Sequence, residues 1–146
     1  MSSKFEAKDV AYKEKVIESF GQQGVMKTLN ASILDIQPGR VELKLPYSET
    51  LTQQHGFIHA GIVSTILDNA CGYAAFTLMP ENAAVLSIEF KVNFLSPARG
   101  DWFRAVAKVK KPGRTITVAE GELFANTDGE EKLVATMLGT IIAVYD

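Results

Sequence analysis

The chain has 146 residues, a length that suits one domain able to bury about two thirds of its unfolded surface. With 47% hydrophobic and 22% charged residues it has the balance of a soluble globular protein, which excludes disordered and fibrous classes. A net charge of -2, with basic residues scattered along the chain, leaves no electrostatic footprint for nucleic acid, and the single cysteine, Cys71, permits no intrachain disulfide.

The opening MSSKFEAKDV carries no apolar run that could serve as a secretory signal, so a cytoplasmic location is expected. Over residues 9–20, Val10, Tyr12, Val16, Ile17 and Phe20 recur at helical spacing, with Asp9 as candidate cap and Gly21 as stop. Residues 1–22 thus read as an amphipathic helical extension of one domain spanning 1–146. Residues 31–35 and 41–45 are short and alternating around Pro38-Gly39-Arg40, which predicts a hairpin that Pro46 ends. After the polar loop 48–54, the stretch 59–79 is almost wholly small or apolar and carries one charged side chain, Asp68. It is long enough to raise the question of a membrane span. Its Ser64, Thr65, Asp68, Asn69 and Thr77, and the absence of a basic flank, favour instead a helix wrapped by protein.

Four strand-like runs follow, at 85–95, 102–110, 115–125 and 133–144. Turn-rich separators at 96–100, 111–114 and 126–129 predict sequential antiparallel neighbours. The first run alternates, with Ser87, Glu89, Lys91 and Asn93 on one face and Ile88, Phe90, Val92 and Phe94 on the other. Its apolar face is expected to cover the uncharged helix. The fold class is then α+β: a strongly curved antiparallel sheet of about six strands wrapped around one long central helix.

A carboxylate on an otherwise uncharged, buried helix costs several kcal/mol unless it is partnered or faces a cleft. Asp68 is therefore either a structural anchor or a catalytic group. The string Gln53-x5-His59-Ala60-Gly61-x6-Asp68, together with Leu86-Ser87-Ile88-Glu89-Phe90, Phe94-Leu95-Ser96-Pro97-Ala98 and Gly113-Arg114-Thr115, resembles the hotdog-fold acyl-CoA thioesterases of the phenylacetate-pathway (PaaI-like) type, over about residues 20–145. Two departures stand out: Ala60 replaces the usual first Gly, and Gln53 replaces Asn although the acid is Asp.

The resemblance implies the hotdog fold and hydrolysis of an acyl-CoA thioester to free acid and CoA, with no cofactor beyond the CoA of the substrate. It also implies roles. The N–H groups of Ala60 and Gly61 at the helix start form the oxyanion hole, and Gln53 and His59 place and polarise the carbonyl. Asp68 acts as general base or nucleophile, assisted by Ser87, with Asn69 as a nearby polar alternative. Helix geometry adds an independent expectation, because Ala60 and Asp68 lie about 12 Å apart along one helix, too far to act on one carbon. Two chains are needed, as a dimer with two shared sites; the resemblance allows a tetramer built as a dimer of dimers.

Basic groups for the CoA phosphates are sought in two turns, as Arg99, Lys110, Lys111 and Arg114. An apolar acyl slot is sought among Phe57, Tyr73, Phe76 and Leu78. Cys71 reads as a small core residue, since both histidines precede the helix, and His55 reads as structural or exposed. No metal site is expected, because the loop context of His55 and His59 does not put them on one helical face. Two other functions stay open: dehydration of hydroxyacyl thioesters, or hydration of enoyl ones, through His59 and Asp68; and acyl-CoA binding without catalysis.

Overall fold

The computed structural model describes residues 4–146. The N-terminal helix α1 spans Tyr12–Gln22 and buries Val16, while Val10 and Ile17 of its expected apolar face stay exposed. Asp9 does not cap it directly. Its carboxylate accepts the Ala11 N–H at 2.9 Å and its carbonyl the Tyr12 N–H at 3.2 Å, forming a turn from which the helix starts three residues later than the spacing suggested. Nor does Gly21 stop it. The chain passes through Gln23 into a second short helix, α2 (Gly24–Thr28), whose Met26 joins the core.

Strands β1 (Ser32–Gln37) and β2 (Arg40–Pro46) form the expected hairpin. Its turn holds Gly39 at φ +76°, where an added Cβ would lie 2.7 Å from the Phe5 ring, so glycine is required there. A 3₁₀ turn at Glu49–Leu51 leads towards the central helix α3 (Ala60–Phe76). Thr77 closes α3: its hydroxyl donates to the Ala74 carbonyl and accepts the Gly39 N–H, both at 2.7 Å. The hydroxyl thereby ties the hairpin turn to the helix end. Strands β3 (Ala84–Phe94), β4 (Trp102–Lys111), β5 (Ile116–Thr127) and β6 (Glu130–Val144) complete the chain. Asp128 and Gly129, at φ 50° and 81°, supply the two left-handed residues that a tight β5–β6 hairpin needs.

All six strands form one antiparallel sheet in the order β1-β2-β4-β5-β6-β3. The order corrects the expectation of sequential neighbours at one place: β3 pairs with β6 at the sheet edge, and β4 lies between β2 and β5. The segment between β3 and β4 is longer than a hairpin turn, so nothing forces those two strands together, whereas the short turns on either side of β5 do. Helix α3 packs on one face of the sheet, burying Val63, Ile66, Leu67, Ala70, Cys71 and Ala74. Gly121 permits this approach, since a Cβ there would lie 3.1 Å from the Cys71 sulfur and 3.2 Å from Leu67.

The edge strand departs further from its sequence pattern. Leu86, Ile88, Phe90 and Phe94 are 58%, 53%, 43% and 52% exposed, so the apolar side of β3 is not covered within one chain. Pairing with β6 steps from Ser87↔Ile141 to Glu89↔Thr140, leaving Ile88 as a β-bulge. The bulge reverses the alternation. Ser87 bonds to Asp68 on α3, while the Phe90 and Cys71 Cβ atoms both crowd the space above Gly139, so Ser87 and Phe90 share the helix side of the sheet.

Candidate active site

The start of α3 presents a small set of hydrogen-bond groups. His59 is its N-cap, and its Nδ1 accepts the Gly61 N–H at 2.9 Å. That bond alters one expectation, because of the two N–H groups assigned to the oxyanion hole, only that of Ala60 lacks a partner. An imidazole whose Nδ1 accepts carries its proton on Nε2, which makes His59 a donor at its outer edge. Gln53 is similarly committed: its Oε1 accepts the His55 N–H at 2.6 Å and the Phe57 N–H at 3.2 Å, holding the 53–57 loop. Only its Nε2 is left, and Nε2 can only donate. Three donors of the segment leading into α3 thus keep no protein partner: the Ala60 N–H and His59 Nε2 at the positive end of the helix dipole, and Gln53 Nε2 in the loop before it.

Two turns further along α3, Asp68 receives the Ser87 hydroxyl at 2.6 Å. This short charge-assisted bond leaves the second carboxylate oxygen available. Both residues face a cleft of about 300 Å³ between α3, β3 and the N-terminal helices. Asn69 and Tyr73 of α3 also line it. So do Ser19 of α1 and Gln23 just past its end, which the sequence did not single out. Gln23 Nε2 donates to Asn69 Oδ1 and to the Tyr73 hydroxyl, both at 2.8 Å, and Ser19 meets that hydroxyl at 3.1 Å.

Other expected site residues are dispersed. Arg99 lies over the Phe57 ring at 5.0 Å, near the start of α3, where Ala98 accepts the Ile58 N–H. Lys111 ends β4 and Arg114 follows it, roughly 30 Å along the strand at the usual rise per residue, so the four basic residues form no single rim within one chain. Lys110 is held by Glu120 at 2.8 Å. Phe76 is a core residue, packed on Tyr73 and beneath the Lys15 ammonium, and Leu78, also buried, lines a separate pocket with Phe5, Met79 and Arg114, away from Asp68. Cys71 is 1% exposed, and burial, with Asp68 and Glu120 nearby, pushes its thiol up to about 12. It stays protonated and is not a nucleophile.

Residues 55–132 match the thioesterase superfamily, and the chain belongs to that family. Its relatives are named as esterases, thioesterases and hydrolases, so the reaction class is thioester hydrolysis. The crystal structure of a thioesterase family protein from Silicibacter pomeroyi is 60% identical, with a TM-score of 0.91 over 92% of this chain and 99% of that one. A Halobacterium salinarum protein bearing an esterase name is 37% identical over 130 residues, 85% of this chain and 83% of its own. The fold of this chain is the hotdog fold of that family. The E. coli PaaI structure shares its fold at a TM-score of 0.82 and 20% identity, over 91% of this chain and 93% of that one. Among the described residues, no helix is long and apolar enough to cross a membrane.

Proposed function

We propose that this protein hydrolyses acyl-CoA thioesters in the cytoplasm as a homodimer with two shared sites. The observation that carries the reading is the Ser87-held Asp68 carboxylate, which faces a cleft two turns from the start of α3, where the segment leading into the helix keeps three donors. The thioester oxygen rests on the Ala60 N–H, His59 Nε2 and Gln53 Nε2 of one subunit. Asp68 of the other accepts a proton from water as the water oxygen bonds to the carbonyl carbon. The oxyanion collapses, the C–S bond breaks, and the proton passes from Asp68 to the CoA sulfur. CoA enters as part of the substrate, and the residues used call for neither metal nor further cofactor.

The dimer reading has its own support. β3 is an edge strand of 11 residues, paired with β6 on one side only, with Leu86, Ile88, Phe90 and Phe94 exposed, the kind of edge that proteins cover. Two-fold pairing along this edge sets two α3 helices side by side, which brings the acid of one towards the donors of the other.

The test is CoA thiol release across short, medium and aryl acyl-CoAs, with sedimentation of the same samples. Asp68→Asn is expected to lose at least about 10³-fold in kcat while still binding acyl-CoA. Wild-type turnover by that variant, or full activity in a monomer, overturns the reading.

A further inference from the structure

We propose that Arg99 is a positioning residue for the hydrolysis: through the ring of Phe57 it holds the 53–57 loop in the turn that leaves Gln53 Nε2 free to donate. The inference rests on the thioesterase reading and deepens it, because Gln53 is one of the donors assigned there to the thioester oxygen.

The loop is a clasp closed by its own atoms. The Gln53 N–H donates to the Phe57 carbonyl at 2.8 Å, and the Gly56 N–H to the Gln53 carbonyl at 3.0 Å. Gly56, at φ +83°, supplies the left-handed residue that this turn needs. Gln53 Oε1 then takes the His55 and Phe57 N–H groups from inside the turn. At the base of the clasp Thr52 bridges Ile58, and the His59 N–H donates to the Leu51 carbonyl at 2.9 Å. These bonds shape the clasp, while its tip at 54–56 stands exposed.

What the clasp leans on is the connection that leaves β3. There the Ala98 carbonyl accepts the Ile58 N–H at 3.0 Å, and the Arg99 guanidinium lies 5.0 Å from the centre of the Phe57 ring. A longer bond, 3.4 Å from the Tyr47 hydroxyl to the Gly56 carbonyl, adds a second prop. Arg99 is itself braced, since its N–H donates to the Pro97 carbonyl at 2.9 Å and Ala98 beside it is buried. Among the described residues no carboxylate pairs with it, so the ring is the partner of its side chain.

The chain of cause is short. The guanidinium holds the ring, the ring holds the Phe57 N–H, and that N–H helps to hold Oε1, which decides where Nε2 points. An amide that must first be gathered into place gives up part of its effect on an oxyanion. A second role competes, because an exposed guanidinium also suits a CoA phosphate. The two roles ask different things of the substrate. An acyl-pantetheine keeps the reacting carbonyl and the thiol arm but carries no phosphate, so only a phosphate ligand loses its purpose with it.

The test measures kcat and KM for thiol release from hexanoyl and benzoyl thioesters, each as the CoA and the pantetheine form. The proteins are the wild type, Arg99→Ala, Phe57→Leu and the double variant. Arg99→Ala is expected to lose about 5-fold in kcat, as an exposed cation–π pair gives, by the same factor on both forms and with KM little changed. Phe57→Leu should lose as much, and the double variant no more than the larger single loss, since the two residues act as one unit. Amide hydrogen exchange adds a readout independent of turnover, in which Arg99→Ala should speed exchange at Phe57 and leave the core of α3 as in the wild type. A loss confined to the CoA forms and read in KM makes Arg99 a phosphate ligand and overturns this inference. So do wild-type kcat in Arg99→Ala, losses that multiply in the double variant, or unchanged exchange at Phe57, and each leaves thioester hydrolysis standing. No thiol release by the wild type from any of the four thioesters overturns both.

Discussion

His59 carries two separable roles, and two substitutions pull them apart. Its Nδ1 caps α3 by accepting the Gly61 N–H, and its Nε2 faces outward as a donor. His59→Ala removes both; His59→Ser keeps a capping oxygen but has no reach beyond the helix end. Loss of an N-cap costs about 1 kcal/mol, which for a domain of this length lowers Tm by roughly 3 °C. The alanine variant should therefore melt about 3 °C below the serine variant in a thermal scan. Catalysis should run in the opposite order. Removing an oxyanion donor costs about 10²-fold in kcat, but alanine also frees the Gly61 N–H, whereas serine keeps it engaged. The less stable variant is thus expected to be the more active. Wild-type kcat in His59→Ser would show that the ring donates nothing to the transition state, and equal melting temperatures would show that Nδ1 is no cap.

Gly121→Ala is expected to destabilise by about 1–3 kcal/mol, because its methyl group would lie 3.1 Å from the Cys71 sulfur, and Cys71→Ala in the same chain should recover part of that loss in urea titrations. Cys71, its thiol raised to about 12 by burial, should be silent to an aromatic disulfide reagent at pH 8 in the folded protein and react fully once unfolded. Glu131 receives two Arg104 N–H groups, at 2.8 and 2.9 Å, and this holds its carboxyl below the usual value. A depressed carboxylate adds stability above its unfolded value, near 4.5, and loses it as pH falls through the folded one. The urea midpoint of Glu131→Gln should accordingly lie below that of the wild type at pH 7, with the gap closing as pH falls from 4.5 through the folded value.

The periodic elements were legible in the sequence because burial imposes a period of two on strands and a one-sided stripe on helices. The hairpin at Pro38-Gly39, the central helix and five of the six strands fall within a few residues of their expected bounds, and β6 starts three residues early, at Glu130. What escaped was set by contacts the pattern does not encode. The helix α2 is too short to show a period, and β3 owes its edge position to a connection that no turn residue constrains. At the site, the residue types named candidate side chains, but not which of their atoms were already committed. Gln53 Oε1 and His59 Nδ1 serve backbone N–H groups, which decides which atom of each faces outward. The basic residues do not gather within one chain because the extended length of β4 separates Arg99 from Lys110 and Lys111 at the strand's end.

The bulge at Ile88 shows how much one unpaired residue can govern. In a regular strand Ser87 would share a face with Glu89, whose side chain engages Thr140, and Asp68 would keep its charge on an apolar helix without the serine hydroxyl. The bulge gives up about one ladder hydrogen bond, a net cost of about 1 kcal/mol. A hydroxyl donated to a carboxylate returns about 1.5–3 kcal/mol, so the exchange favours the bulge wherever the acid must stay ionised beside a cleft. The acid is thereby held from the same edge strand whose apolar residues await a partner. The poise of Asp68 is thus built within one chain, through the β3–β6 pairing that carries the bulge.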